Sequence, residues 1–568
     1  MNRRFFRFAA LAITVVGLAA CKDESLAVVN PNQGDTKRVL GSPNDAEALL
    51  GTYYRRWSSG VYGTTGDLQG MANVMSFQNY SSLANNCQNA RAPFAGATNS
   101  NAPGNVCLGE QNLMYSRMGE VMRVASSYLG QVKAGLTLGT PARDNRAKAF
   151  AEFLRGMSLG YTALMHDSGT VISEATGAED AGTLVGYRAV ADSAYAALQR
   201  AIDLTNAAAA GSEGFPLPST WIPSPTQMSK VEFVKLVRSY RARFRANMAR
   251  TPTERAAADW AAIVADAQNG ITADHMITTN TVTGPGNSWR STYLSFTTWH
   301  QMPPFFIGMA DVSGSYASWI AQPISERGAG GVSFTMVTPD LRFPQGATRA
   351  TQNADFTLAS CSTAATPCKR YFVNRPAGGD QNAGLGWGWS NYDHVRFLSW
   401  DRAGDAGTAR NGNTPFFVKA EVDLLQAEGL FRQGNFAGAA ALVNLTRVPN
   451  GLPALTDFNA TSPVPGTATS CVPKVPVAPF NVVACGNLWE AIKYEKRIET
   501  AYTSYSPWYL DGRGWGDLPK DTPLYWPVPY QDLQARGRTN AQLYGTGVGG
   551  IALGNAPGSA AAVSVYGW

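Results

Sequence analysis

The stretch from Phe416 to Asn450, FFVKAEVDLLQAEGLFRQGNFAGAAALVNLTRVPN, decides the fold of this chain. Its first half repeats apolar residues at three- and four-residue spacing, which places them on one stripe of an amphipathic helix: Phe417, Ala420, Leu424, Ala427 and Phe431. Gly434 ends that helix, and Asn435 can cap a second helix through its side-chain oxygen. Pro449 ends the second helix because it cannot continue the backbone hydrogen bonding. The pattern predicts an antiparallel helical hairpin.

This hairpin has the proportions of a tetratricopeptide-type repeat, a unit of about 34 residues that cannot bury its apolar face alone. It therefore needs stacked neighbours, and helical periodicity recurs earlier in the chain. The further predicted helices are Ser42–Arg56, Gln111–Ala134, Asp144–His166, Tyr187–Ala208, Ser229–Arg250 and Pro252–Gln268. The sequence predicts a mainly α fold, with a helical repeat scaffold over about residues 42–270 and 415–516.

A third helix follows the hairpin and carries two carboxylates on an otherwise apolar face. Leu488, Glu495 and Glu499 share that face. Buried charges persist only when they are paired, and Arg497 and Arg513 are the nearest arginines in the sequence. We expect a structural ion-pair cluster that locks the helix to the following turn and includes Glu495, Arg497, Glu499, Asp511 and Arg513. The alternative is acid–base chemistry by the two glutamates.

The same region carries a family resemblance. The relevant motifs are Lys419-Ala420-Glu421, Ala427-Glu428-Gly429, Glu495-Lys496-Arg497-Ile498-Glu499, Trp508 with Asp511, Arg513 and Trp515-Gly516, and Leu524-Tyr525-Trp526-Pro527-Val528-Pro529. In order and spacing they resemble the SusD/RagB family of bacterial surface lipoproteins. Thr338-Pro339-Asp340-Leu341-Arg342 resembles the aspartate-x-arginine element of that family. One departure is Thr503-Ser504-Tyr505-Ser506-Pro507, where the family usually has glutamate-glycine-x-arginine.

The resemblance implies a single SusD-like domain over residues 21–568, whose ligand side lies opposite the helical repeats. It implies a nutrient-binding lipoprotein of starch-utilisation type, with an oligosaccharide or a peptide as its ligand. The implied partner is a SusC-like, TonB-dependent transporter of the outer membrane. No enzymatic activity, cofactor or metal is implied, and an extended tail over about residues 534–568 follows the scaffold.

The N-terminus has the pattern of an export signal. Arg3, Arg4 and Arg7 precede a short apolar run, and the small residues before Cys21 resemble a lipobox. We expect a signal peptide at residues 1–20 and an acylated Cys21 that anchors the protein to the cell outer membrane, facing outside. The alternative is a cleaved soluble protein in which the cysteine is incidental.

Two segments with little helical periodicity, about residues 60–109 and 271–414, interrupt the scaffold. They are rich in turn-forming residues, which predicts irregular insertions with short strands. Their aromatic rings are the candidate ligand contacts, because a flat ring can cover the apolar face of a sugar. Core packing is the alternative fate of each ring. The predicted ligand-binding residues are Trp387, Trp389, Tyr392, Trp289, Trp299 and Tyr80.

Apart from Cys21, six cysteines lie in three sequence-local pairs within loop-rich stretches. No histidine is near enough in sequence to complete a zinc site, and an exported protein favours disulfides. We expect the pairs Cys87–Cys107, Cys361–Cys368 and Cys471–Cys485, although the sequence leaves the connectivity open.

Catalytic and nucleic-acid-binding patterns are missing from the sequence. The four histidines are scattered, and Gly545-Thr546-Gly547-Val548-Gly549-Gly550 lacks the strand and helix of a dinucleotide site. Removing Arg3, Arg4 and Arg7 with the signal peptide lowers the net charge from +6 to +3, without a basic run, so nucleic acid is not an expected partner. Besides nutrient binding, the open alternatives are a secreted polysaccharide hydrolase and a protein-binding helical scaffold.

Overall fold

The computed structural model describes most of the chain between residues 41 and 568. The described residues are 41–62, 68–81, 101, 103, 108–177, 180–208, 211, 213–280, 300–323, 326–327, 334–357, 360, 368–375, 390–397, 412–456, 459–503, 506–538 and 563–568. The predicted signal peptide and Cys21 lie outside them.

Helices dominate the described residues. The eight that precede the second insertion are α1 (Pro43–Val61), α2 (Leu68–Met75), α3 (Leu108–Lys133), α4 (Pro141–Met165), α5 (Tyr187–Ala207), α6 (Lys230–Asn247), α7 (Pro252–Ala256) and α8 (Trp260–Gln268). Within the second insertion lie α9 (Pro304–Ile307), α10 (Ser315–Ile320) and α11 (Arg349–Asp355). After it come α12 (Lys419–Arg432), α13 (Phe436–Arg447), α14 (Leu488–Thr500), α15 (Pro507–Trp515) and α16 (Tyr530–Ala535).

The long helices pack in a series, as a repeat scaffold requires. Each helix of the series packs against the next one, in the order α1, α3, α4, α5, α6, α8, α12, α13 and α14. A continuous apolar core follows this series, and a second cluster beneath α12, α13 and α14 includes Leu424, Ala427, Ala440, Val443 and Ile492. No helix in the described part of the chain has the length and hydropathy needed to cross a bilayer.

The hairpin of α12 and α13 matches the prediction from Gly434 and Asn435. Gly434 has φ +78°, a left-handed conformation that glycine adopts without strain. The side chain of Asn435 accepts a hydrogen bond from the backbone N–H of Gly438 at 2.9 Å, which caps α13. The start of α12 differs from the prediction, because Phe416 and Phe417 belong to a strand and the helix begins only at Lys419.

The predicted helix Pro252–Gln268 is two short helices in the structure, α7 and α8. The side chain of Asp259 accepts a hydrogen bond from the N–H of Ala262 and starts α8. The indole of Trp260 donates to the carbonyl oxygen of Arg255 at 2.8 Å and so closes the bend. Tertiary contacts of Arg255, described below, outweigh the local helical periodicity here.

Ten short strands form five antiparallel pairs within the described residues. They are β1 (Tyr80–Ser81) with β5 (His300–Gln301), β2 (Ser168–Thr170) with β3 (Leu184–Gly186), β4 (His275–Thr279) with β8 (Gly412–Phe417), β6 (Phe372–Asn374) with β7 (Tyr392–His394), and β9 (Lys474–Val477) with β10 (Val482–Cys485). The β4–β8 pair joins the two ends of the second insertion, so that the chain leaves and re-enters the scaffold at one place.

Residues 563–568 pack against the core, whereas the sequence predicts an extended tail there. Trp568 is 2% exposed, and its ring centroid lies 4.9 Å from that of Phe305. Its indole N–H donates to the carbonyl oxygen of Asp517, just beyond α15, at 3.2 Å. Tyr566 is buried beside it and donates its hydroxyl to Glu490 of α14 at 2.6 Å. This segment therefore connects the second insertion to the last scaffold helices.

We predict that Trp568→Ala lowers the free energy of unfolding by about 3–5 kcal/mol, because truncating a buried tryptophan loses burial and leaves a cavity. Val563 is 53% exposed in the same segment, and Val563→Ala should change stability by only about 0.5 kcal/mol. Urea unfolding of the two variants measures the difference. Equal stability of both variants would mean that the segment is not part of the core.

Candidate ligand-binding side

The second insertion is fastened to the helical scaffold by Arg342, whose side chain is completely buried. Its guanidinium holds Asp340 through three hydrogen bonds, of 2.9, 3.2 and 2.7 Å. It also donates to Glu495 of α14 at 2.8 and 3.1 Å, and to Glu499 at 3.0 Å. The hydroxyl of Tyr494 donates to Asp340 at 2.7 Å. One arginine thus joins the loop before α11 to the apolar face of α14.

Other cations complete the charge balance at this position, which we call the Arg342 cluster: Asp340, Arg342, Arg396, Arg447, Glu495 and Glu499. Arg396 lies 3.0 Å from Glu499, and Arg447 lies 4.0 Å from Glu495. Three cations therefore face three carboxylates. Burial raises the pKa of Glu495, although the charge and hydrogen bonds of Arg342 oppose that effect.

A second buried cluster centres on Arg255 of α7. Its guanidinium donates to Glu428 at 2.9 and 2.6 Å and to Asp511 at 3.0 Å. Lys496 also donates to Asp511, at 2.8 Å. Burial alone would raise the pKa of Glu428, but the charge and hydrogen bonds of Arg255 lower it to about 2. This cluster connects α7, α12, α14 and α15.

The predicted cluster of Glu495, Arg497, Glu499, Asp511 and Arg513 is therefore not one unit in the structure. Arg497 pairs with Asp517, and Arg513 donates to the carbonyl oxygens of Leu524 and Asn247, each at 2.8 Å. Glu495 and Glu499 point to Arg342 instead, on a different side of α14 from Asp511. The prediction from sequence proximity was wrong, because Arg342, which bonds to both glutamates, is more than 150 residues away from them in sequence.

The two insertions meet at a small set of backbone contacts. Tyr80 and Ser81 of the first pair with Gln301 and His300 of the second through β1 and β5. On the other side of β5, the N–H of Met302 donates to the carbonyl oxygen of Tyr392 at 2.9 Å. The hydroxyl of Ser390 donates to the carbonyl oxygen of Met302. Residues 80–81, 300–302 and 390–392 thus form one junction, which we call the insertion junction.

Of the six predicted ligand residues, the structure describes Tyr392 and Tyr80. Tyr392 has no exposed surface, and its hydroxyl donates to Gln352 at 2.9 Å and accepts from the N–H of Met336 at 3.1 Å. Its ring has no face open to a sugar, so Tyr392 is a packing residue. Tyr80 is placed by its backbone in β1. The predicted contacts Trp387, Trp389, Trp289 and Trp299 lie outside the described residues.

Buried histidines account for three of the four in the chain. His166 donates its Nδ1–H to the carbonyl oxygen of Pro527, at 3.0 Å, and burial lowers its pKa to about 4. Burial also lowers the pKa of His275 to about 4. His394 packs against Phe372 in the second insertion. Among the residues that the structure describes, no group of histidine, cysteine or carboxylate side chains has the geometry of a metal site.

Cys471 and Cys485 form a disulfide with Cα atoms 5.7 Å apart, as predicted. It connects the start of the β9 hairpin to the end of β10, next to α14. Cys368 is also disulfide-bonded, while its predicted partner Cys361 and the pair Cys87–Cys107 lie outside the described residues.

Acid should weaken the Arg255 cluster. The folded-state pKa of Glu428 is below its ordinary value of 4.5, so its contribution to stability is complete above about pH 4.5 and is lost as the pH falls towards 2. We predict that the free energy of unfolding of the native protein falls by about 3 kcal/mol across this range through Glu428 alone. Glu428→Gln should flatten that decline, measured by urea unfolding at a series of pH values.

Glu120→Gln is the matched control, because Glu120 is exposed and exposed ion pairs contribute little. Its pH profile should follow that of the unmodified protein. A Glu428→Gln profile as steep as that of the control would contradict the assignment.

Comparisons with known proteins bear on the fold. No family model matches the chain, and no curated protein matches it in sequence. Solved structures do match: a SusD-like protein from Bacteroides fragilis (TM-score 0.51, 13% identity), a SusD superfamily protein from Parabacteroides distasonis (0.52, 11%) and one from Bacteroides vulgatus (0.50, 12%). Each match covers 87% of this chain and 96%, 97% and 97%, respectively, of the other. The chain therefore has the SusD-like fold, with helical hairpins as its scaffold.

Proposed function

We propose that this protein is a nutrient-binding lipoprotein of the outer membrane that captures an oligosaccharide and passes it to a SusC-like, TonB-dependent transporter. The observation that carries the proposal is the insertion junction, where Tyr80 and Ser81 pair with Gln301 and His300. Two segments of low helical periodicity, far apart in sequence, meet there on a helical scaffold. Segments of this kind usually carry recognition, because a rigid scaffold holds them while they remain free to vary.

Buried contacts hold the second insertion, and with it the junction, against the helical scaffold. Arg342 ties the second insertion to α14, and Tyr371 in the same insertion donates its hydroxyl to Glu499 at 3.1 Å. Tyr392 supports the junction from inside, through its contacts with Gln352 and Met336. A binding surface held by buried contacts loses little conformational entropy when it binds a ligand.

Aromatic rings would supply the recognition. Trp299 directly precedes His300 of β5, and Trp389 directly precedes Ser390, so both are sequence neighbours of junction residues. With Trp387, Trp289 and Tyr80 they are the rings that we propose for stacking on sugar faces. In this proposal the helical repeats, on the opposite side, remain available to the transporter.

We predict that replacing both Trp387 and Trp389 with alanine weakens glycan binding by about 1–3 kcal/mol, the scale for losing aromatic contact area, with little change in melting temperature. Binding is measured by titration calorimetry with a glycan identified from a library of oligosaccharides and peptides. The control is Tyr392→Phe, which removes a buried hydroxyl. It should cost about 1–3 kcal/mol of stability and leave the affinity unchanged.

Normal affinity in the double variant would move the proposed site to Trp289, Trp299 or Tyr80. A large drop in its melting temperature would instead place both tryptophans in the core. Selection of peptides alone from the library would replace the sugar with a peptide as the ligand.

Anchoring is tested separately at Cys21. We predict that Cys21→Ala releases the protein from the membrane fraction, because stable attachment needs at least two acyl chains and only an acylated cysteine would provide them. Immunoblotting of membrane and soluble fractions measures the change. A variant that stays with the membrane would contradict the lipobox interpretation, whatever the outcome for glycan binding.

A further inference from the structure

A pocket of about 240 Å³ lies away from the insertion junction, between β4, the first turns of α6 and the loop that follows Pro223. Apolar side chains from three segments form part of its wall: Met228, Leu236 and Ile271. Glu232, Lys235, Asp274, His275 and Met276 add polar and backbone groups. None of the aromatic residues proposed for ligand contact lines this pocket, and the function proposed above does not use it.

One edge of β4 is incomplete at this pocket. On the far edge β4 pairs with β8, where Met276 stands opposite Pro415, a residue without an N–H. On the near edge the N–H of Thr278 donates to the carbonyl oxygen of Pro223 at 2.9 Å. Alternate residues of a strand direct their N–H and C=O groups to the same edge, so those of Met276 also face the near edge.

The loop that starts at Pro223 does not continue this pairing along β4. Within the described part of the chain, no backbone or side-chain group bonds to the N–H or C=O of Met276 on the near edge. A strand edge with an open donor and acceptor is a template for pairing with another chain. The pocket beside it can take a side chain of such a segment.

His275 gives a second, independent sign of an unfilled position. It is 7% exposed, and its Nε2 has no hydrogen-bond partner among the described residues. A buried polar atom without a partner costs free energy, and a bound group can recover that cost. Burial lowers the pKa of this imidazole to about 4, so it is neutral near pH 7 and can donate or accept.

The charges around the pocket favour a basic occupant. Glu232 and Asp274 are both at the lining, and Lys235 is the cation among the lining residues. One carboxylate oxygen of Glu232 already accepts from the N–H of Ser229, and one of Asp274 from the N–H of Lys419, so each keeps a second oxygen for a ligand. Among the lining residues, two carboxylates against one ammonium leave a negative excess.

We propose that this edge binds an extended, basic segment of a partner polypeptide, which adds to β4 as a short strand. The backbone of the segment pairs with Met276, an apolar side chain enters the pocket beside Leu236, and an adjacent lysine or arginine reaches Glu232 and Asp274. Main-chain pairing then gives affinity, and the pocket with its charges gives specificity. This interaction is separate from glycan capture.

The probe is a fluorescent hexapeptide, acetyl-Ser-Thr-Leu-Lys-Thr-Ser-amide, titrated into the purified protein and followed by anisotropy. A matched peptide carries Glu in place of Lys, and another carries N-methyl-Leu, which cannot donate to the strand edge. We expect saturable binding of the Lys peptide and at least about tenfold weaker binding of each matched peptide. Hydrogen exchange should show slower exchange at residues 274–279 in the complex.

Two protein variants locate the interaction. Met276→Pro removes the free N–H, and a proline is tolerated where a strand-edge N–H is unpaired, so the protein should fold and bind about tenfold more weakly. Met276→Leu keeps the backbone and should bind as the native protein does. The double variant Glu232→Gln and Asp274→Asn keeps both hydrogen bonds and should lose the preference for Lys over Glu.

Thermal melts confirm that each variant is folded. The proposal is overturned if no peptide binds up to millimolar concentration, or if the Lys and Glu peptides bind equally to the native protein. Equal binding by folded Met276→Pro and Met276→Leu would also overturn it. A dimer in sedimentation that Met276→Pro dissociates would assign the edge to a second copy of this chain instead.

Discussion

The structure depends on the burial of carboxylates in the last scaffold helices. Helix α14 places Glu495 and Glu499 on a face that packs inwards, where an unpaired charge would cost several kcal/mol. Arg342 meets both carboxylates and also Asp340, which fixes the position of the loop around it. Because truncating either side of such a pair leaves a buried charge alone, the insertion can dock in only one arrangement without a large penalty.

Buried arginine–glutamate pairs recur along the scaffold. Arg243 of α6 holds Glu421 of α12 through hydrogen bonds of 2.7 and 2.8 Å, and about two turns further along the same helix Arg255 holds Glu428. Each bond spans more than 170 residues of sequence, so it joins the early helices to the late hairpin. Stacked repeats contact only their neighbours, and these forked pairs fix the register between two helical segments that a long insertion separates.

The buried ion pairs hold the insertion junction in place, and we propose that this junction and the edge of β4 have different roles. The insertion junction rests on buried contacts, such as the bond from Met302 to Tyr392, while Trp299 and Trp389, which we propose for ligand contact, directly precede junction residues in sequence. The open edge of β4 belongs to a different part of the molecule, where the insertion leaves the scaffold. In our two proposals this protein has two kinds of surface: one that stacks on the rings of a ligand, and one that pairs with the backbone of a partner.

The sequence by itself determined most of the long scaffold helices, because periodicity, caps and proline stops act over a few residues. Gly434 and Asn435 placed the turn of the late hairpin correctly, and Cys471 with Cys485 indicated their disulfide. The motif around Asp340 and Arg342 was visible in the sequence, yet its partner was not, since nothing local distinguishes Arg342 from Arg497 as the cation for Glu495. Tertiary structure alone decided that choice, the inward position of Tyr392 and the docking of Trp568, because burial depends on segments that are distant in sequence but adjacent in space.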